Sequence, residues 1–416
     1  MALVRHGAAV APFNVQAVCW VVDGAWDTLK ESEPLAKTVR GDVGATNSGS
    51  RFQRGSMFAL GAVAASFFLC LLAIVALRPV AVAVDLIDRP GGRKLHEGEV
   101  PLVGGLAMLI GVVFGIGAAS LPAAGAFLAS CTMLVTVGLV DDRFSLSPWA
   151  RLAAQGAAAL LIIFGSQTVI LSLGDAFGVG ELRLVGLGAY VFTALVVMAT
   201  VNAFNMLDGI DGLAGALALV ALGALAILAA DAGLTEVLLT TLVVVGAVAA
   251  FLVSNLSFEW NRGLRCFMGD GGSALLGLAV AWLAIDVSQS PRATVAPVTF
   301  LWVLALPVYE VFWTVIRRTI RGVSPFKADT EHLHHVVLRA GFSARETFGI
   351  LATLAAALAC IGISLDRLDI SEGWSLVWLA VIGVLVVWAL QRAERLRLLR
   401  IRQTPRDEES TATPLP

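Results

Sequence analysis

The stretch Asn202-Ala203-Phe204-Asn205-Met206-Leu207-Asp208-Gly209-Ile210-Asp211-Gly212 sets two amides and two carboxylates between uncharged runs that reach back to 184 and forward to 230. Polar groups bounded by apolar sequence are expensive in lipid unless they face water, a metal or a partner, so the stretch is a candidate site. Asp208 and Asp211 are three apart and share a face if a helix continues through them, with Asn205 a further turn back. Gly209 and Gly212 point instead to a bend with close backbone approach.

Three more acids stand in similar positions. Asp141 and Asp142 end an apolar run just before Arg143, and alone they read as a solvated helix end. Asp270 lies in Met268-Gly269-Asp270-Gly271-Gly272-Ser273, and alone it reads as a capping carboxylate at a helix start. Five carboxylates converging at one face change that reading. Oxygen donors without cysteine suit Mg²⁺, or Mn²⁺, rather than zinc. Mg²⁺ commonly bridges one or two carboxylates to substrate phosphates, which suggests phosphoryl transfer, where positioning and charge neutralisation do most of the work.

Basic groups accompany the acids. Arg89, Arg93, Lys94 and His96 surround the Gly91-Gly92 turn, and His332-Leu333-His334-His335 follows Arg317, Arg318, Arg321 and Lys327. Topology control and lipid headgroups account for Arg317, Arg318 and the basic run 392–402. For His332, His334 and His335 the choice is a metal site or hydrogen bonds to phosphate or sugar. The second is preferred, because Glu331 is the only acid fixed beside them in sequence.

The elements that must carry these groups are apolar. Hydrophobic residues make up 58% of the 416 and charged ones 14%, against about a quarter charged in soluble chains. The chain is therefore expected to be an all-α, multi-pass protein of the lipid bilayer. At about 20 residues per crossing, eleven candidate spans follow: 57–79, 101–119, 121–140, 150–171, 184–205, 212–230, 236–256, 271–287, 293–316, 347–365 and 373–391. The eighth is the shortest and weakest. Residues 1–56 match none of this and are expected to be a poorly structured extension or a start-site artefact. Residues 57–391 form one multi-span domain, and 392–416 a basic, then polar tail. The five Cys have no spacing that suggests disulfides or zinc.

Loops on one side of these spans hold twenty Lys and Arg, those on the other only Arg183, Arg292 and Arg367. The basic side is expected to be cytoplasmic, with the C-terminus inside. Every polar cluster falls on that same side. A transporter would place such groups near mid-membrane instead, so a site of chemistry on one wet face is the natural reading, with an ion-coupled transporter as the rival.

Taken together, Asp88-Arg89-Pro90 with Arg93-Lys94-Leu95-His96, Pro101 to Gly105, Gly138 to Asp142, Asn202 to Gly212, Phe267 to Asp270, and His332 to His335 resemble the polyprenyl-phosphate N-acetylhexosamine-1-phosphate transferases, the glycosyltransferase 4 family. The resemblance runs from about 57 to the end of the eleventh span. It implies an Mg²⁺-dependent enzyme of the inner membrane of bacteria, which moves a sugar 1-phosphate from a UDP-N-acetylhexosamine to undecaprenyl phosphate and releases UMP. It also implies roles: Asp270 and Asn205 at the metal; Asp141 and Asp142 near the lipid phosphate, one accepting its proton; Asp208 and Asp211 in the nucleotide and catalytic pocket. Phe267 would stack on uracil, while Arg93, Lys94, His96 and the three histidines would bind substrate. The His-Leu-His-His form is similar to the branch that uses UDP-GlcNAc, which begins surface polysaccharides such as O-antigen. Glu310 stands where relatives often have Asp, and Arg151 where several have Lys. No nucleic acid is expected as a partner, and a homodimer is compatible with the sequence.

Overall fold

The computed structural model describes residues 48–89, 98–121, 124–256, 263–292, 295–323 and 331–403. Their elements are α1 (Ser48–Ala83), β1 (Ile87–Asp88), β2 (Val100–Pro101), α2 (Gly104–Ala119), α3 (Gly125–Phe144), α4 (Pro148–Gly165), α5 (Gly186–Leu207), α6 (Leu213–Asp231), α7 (Thr235–Asn255), α8 (Gly269–Ser288), α9 (Pro297–Val303), α10 (Ala305–Ile320), α11 (Leu333–Arg339), α12 (Ala344–Arg367) and α13 (Glu372–Gln403). The protein is an all-helical, polytopic membrane protein. Residues 1–47, most of the expected extension, lie outside the described residues, while 48–56 begin α1.

Each apolar run of the sequence corresponds to a helix, but not every helix is a full crossing. Among the described residues nine helices are long and apolar enough to span a bilayer, and α9 with α10 makes a tenth, bent by 82°. The run 293–316 therefore does not form one straight span. Pro307 has no N–H to donate to the carbonyl of Val303, so a continuous helix through this point would lose that bond. Pro307 instead sits in the first turn of α10, where its missing donor is harmless. The second run is also shorter than expected: α2 has 16 residues and ends where Ser120 turns left-handed, φ 52°.

The eighth run, read from sequence as the weakest, is the centre of the bundle. α8 has 20 residues, and 83% of its apolar stretch is buried, more than in any other candidate span. Glycines make this possible. Gly138 of α3 lies against the backbone of Gly271, Gly105 of α2 against Gly272, and Gly277 against the backbone of Val201 in α5. A Cβ at any of the three would collide with main-chain atoms. In lipid, where apolar side chains gain nothing by leaving their surroundings, such small-residue contacts let dispersion hold helices together. Buried polar side chains add bonds between helices: Ser66 Oγ of α1 donates to Val243 O of α7 at 2.8 Å, and Tyr309 OH of α10 to Leu379 O of α13 at 2.7 Å.

The start of α8 is fixed by backbone pairing. β1 and β2 form an antiparallel ribbon, and Phe267 N donates to Pro101 O at 3.0 Å. Gly104 N and Gly105 N donate to Phe267 O and Met268 O at 2.9 and 3.0 Å. The residues entering α8 are thus strapped to the residues entering α2. This places Asp270 at one end of the bundle, beside the C-terminal ends of α3 and α5.

Candidate active site

Asp141 and Asp142 form the last turn of α3. Its end is set by Ser145, left-handed at φ 52°, which turns the chain so that Leu146 N–H donates to Asp141 Oδ1 at 2.6 Å. α4 then begins at once, with the Ser147 side chain accepting from Ala150 N at 3.2 Å and Pro148 in the first turn. One turn into α4, Arg151 Nη1 reaches Asp141 Oδ2 at 3.2 Å and Asp270 Oδ2 at 3.4 Å. The adjacent Arg143 turns away, 3.8 Å from Asp85. The solvated-end reading of the two acids therefore fails for Asp141, which is buried.

Asp142 faces the N-terminus of α8. Its Oδ1 accepts from Asp270 N at 3.1 Å, a carboxylate at the positive end of a helix. Gly269, at φ +67°, lets the carboxylate in, because a Cβ there would strike Asp142 Oδ2. That second oxygen is buried without a hydrogen-bond partner among the described residues. Asp270 is held from the opposite side by α5: Asn205 Nδ2 donates to Asp270 Oδ1 and to Ser273 Oγ, both at 3.1 Å.

Asp208 ends α5, and its carboxyl is pushed up to about 8. Enclosure in the concave end of the bundle is the larger cause, followed by the charges of Asp270, Asp142 and Asp211. Asp208 is nonetheless exposed at the end of α5, and so reachable from solvent. Asp141, Asp142, Asp208, Asp270 and Asn205 are therefore one cluster. Asp211 sits at its edge, where it accepts from Arg265 Nη2 at 2.6 Å. The Arg265 guanidinium also lies over the Phe267 ring, 5.4 Å from its centroid. Among the described residues no three His, Cys, Asp or Glu groups close on one point as a metal cage.

The histidines adjoin this cluster. His334 is buried, and Gly209 packs on its ring so closely that any Cβ would overlap it. Among the described residues neither ring nitrogen of His334 has a hydrogen-bond partner, and its pKa is lowered to about 3 by burial, then by His335, His332 and Arg339. It stays neutral. The acid beside these histidines is not Glu331, which Arg317 and Arg321 occupy. It is Glu310, fully buried in α10, whose Oε1 lies 2.7 Å from His332 Nδ1 while its Oε2 accepts from Leu333 N at 2.8 Å. Twenty-two residues separate that pair. The bend before α10 aims this helix at α11, and only the fold shows it.

Arg93, Lys94 and His96 lie outside the described residues. Arg151, Arg265 and Ser273 are the members that sequence reasoning missed as site residues. Arg265 stands two residues before Phe267 and counted there only toward the charge of its loop. Arg151 was visible only as a departure from the family pattern.

The model for glycosyl transferase family 4 matches residues 124–288, which carry all six acids and amides of the cluster and its edge. The chain is 35% identical over 321 residues to undecaprenyl-phosphate alpha-N-acetylglucosaminyl 1-phosphate transferase of Yersinia pestis, covering 76% of this chain and 87% of the relative. The protein of the same name from Salmonella typhi is 34% identical over 327 residues, 78% and 89% of the two chains. That from Pasteurella multocida is 31% identical over 338 residues, 81% and 93%.

Proposed function

The chain belongs to glycosyl transferase family 4, the enzymes that transfer an N-acetylhexosamine 1-phosphate to undecaprenyl phosphate, and from that membership we propose that its donor is UDP-GlcNAc. In this reading UMP is the leaving group and the lipid-linked GlcNAc diphosphate begins a surface polysaccharide. The GlcNAc named in its relatives and the His-Leu-His-His segment beside the acids support that sugar. The rival transporter reading has no place in a transferase family.

The observation that carries the mechanism is the convergence of Asp270, Asp142, Asp141, Asp208 and Asn205 at one end of the bundle. A lipid phosphate oxygen attacks the β-phosphorus, its bond to the bridging oxygen breaks, and UMP departs with that oxygen. The oxygen-only donor set, with Asp142 Oδ2 buried and without a hydrogen-bond partner among the described residues, fits Mg²⁺, which Asp270, Asp142 and Asn205 would hold. When bound, the ion neutralises pyrophosphate charge. Asn205 orients the Asp270 carboxylate toward it. Arg151 keeps Asp141 and Asp270 from repelling one another and offers a charge to the lipid phosphate. Asp208 adds its carboxyl to the same cluster, and one of Asp141 and Asp142 takes a proton from the acceptor when that phosphate arrives singly protonated. Asp211 and Arg265 set the Phe267 ring for the uracil, and neutral His334 supports the sugar side. Excess Lys and Arg at this end orient it to the cytoplasm.

The test uses purified enzyme with Mg²⁺, undecaprenyl phosphate and a panel of UDP-N-acetylhexosamines. UMP release is expected with UDP-GlcNAc. Release with a different sugar alone overturns the donor assignment, and none with any sugar overturns the reaction.

A further inference from the structure

We propose that Gln155 is a positioning residue for the Asp270 carboxylate, acting through its hydrogen bond to Asn202; this rests on the Mg²⁺-dependent transfer proposed above. Asn202 Nδ2 donates to Gln155 Oε1 at 2.6 Å and to Met198 O of its own helix at 2.7 Å. Gln155 is buried in the otherwise apolar stretch 152–165 of α4. An amide there is unfavourable unless its oxygen is bonded. Asn202 uses one amide nitrogen for both bonds, so the side chain has one orientation.

The pair lies one turn, about 5.4 Å along each helix, from the site. Arg151 precedes Gln155 by four residues and Asn205 follows Asn202 by three, so each lies on the same face as its partner in the pair. Those two residues grip opposite oxygens of one carboxylate: Arg151 approaches Asp270 Oδ2 at 3.4 Å and Asn205 donates to Oδ1 at 3.1 Å. The rotation of α4 and of α5 therefore sets both contacts. Elsewhere in the bundle glycine-to-backbone packing fixes rotation, as at Gly138 against Gly271. Between α4 and α5 that device is absent: a Cβ on Gly156 would meet only Met198 Sδ, at 3.9 Å. The Gln155–Asn202 hydrogen bond is the polar contact that registers the two helices at this level.

The test is a double-mutant cycle with Gln155→Leu, Asn202→Leu and both together, each read by UMP-release kinetics and by Mn²⁺ titration followed by electron paramagnetic resonance. Groups that orient a metal ligand typically contribute about tenfold or more to affinity or activity. Each single variant is expected to lower kcat about tenfold and to weaken Mn²⁺ binding several-fold, with KM for the UDP-sugar little changed. The double variant is expected to lose no more than either single one. Gln155→Met, which keeps length but lacks the acceptor, should match Gln155→Leu and covers the case where leucine fails to fold. Additive losses, a change confined to KM, or unchanged Mn²⁺ affinity overturns the proposal. Because the Mn²⁺ titration does not need turnover, a wild-type enzyme that binds Mn²⁺ yet releases no UMP would refute the reaction and leave the positioning claim decided separately.

Discussion

Replacing Arg151 by Gln removes the cation that bridges Asp141 and Asp270, at 3.2 and 3.4 Å. A single contact of this length at an effective dielectric near 20 amounts to about 5 kcal/mol. Arg151 is 40% exposed, and solvent brings exposed pairs down to about 1 kcal/mol or less. With two contacts at such a half-open position, the loss is about 2 kcal/mol, or about thirtyfold in rate. Arg151→Lys keeps the charge, but an ammonium cannot span both carboxylates as the planar guanidinium does, so about fivefold is expected. The assay is kcat for UMP release at saturating Mg²⁺, with membrane insertion checked in parallel. Equal losses for Lys and Gln would mean that shape rather than charge matters at this position. Wild-type kcat in Arg151→Gln would refute the bridging role altogether.

Asp208→Asn should abolish turnover yet stabilise the protein in EDTA. The folded pKa near 8 exceeds the ordinary 3.8, so the wild-type carboxyl lowers stability as pH rises from about 4 to 8. The Tm advantage of the variant should grow across that window and level off above it; an advantage independent of pH would contradict the raised pKa. His334 has the opposite sign: its folded pKa of about 3 lies below the ordinary 6.5. Its contribution is complete above 6.5 and is lost as pH falls toward 3, so His334→Asn should flatten the decline of Tm below pH 6.5. An unchanged slope would mean that the imidazole can be protonated in place. Gly138→Val should part α3 from α8, lowering both Tm and kcat, because its Cβ meets the Gly271 backbone; an active, equally stable variant would refute that tight crossing.

Much of this fold is legible in the sequence because lipid imposes a simple rule on it. A helix that satisfies its own backbone and stays apolar for a crossing's length can be counted directly, and each of the eleven runs contains helix, though the second is short and the ninth is broken. The rule fails where burial is by protein rather than lipid. α8 reads as weak because Gly269, Gly271, Gly272 and Gly277 dilute its hydropathy, yet those residues let three neighbours approach its axis. Pro307 breaks the ninth run, and an averaged hydropathy has no term for a missing donor. The acids and Asn205 were recognisable one motif at a time, and the count of basic loops put them on one side. Their partners were not, since Arg151 lies 119 residues from Asp270 and Arg265 lies 54 from Asp211. Glu310 was seen as an oddity of the family pattern, while its role against His332 depends on the bend of α10.

The most direct measurement is transfer of labelled GlcNAc 1-phosphate from UDP-GlcNAc to undecaprenyl phosphate by wild-type protein and by Asp270→Ala in the same membranes. Asp270 accepts Asn205 on one oxygen, Arg151 on the other, and leads the helix that Asp142 caps. Wild type is expected to form the lipid-linked product and UMP, and Asp270→Ala to insert normally and form neither. Product formation by Asp270→Ala at a rate near wild type would contradict a reaction centred on this cluster.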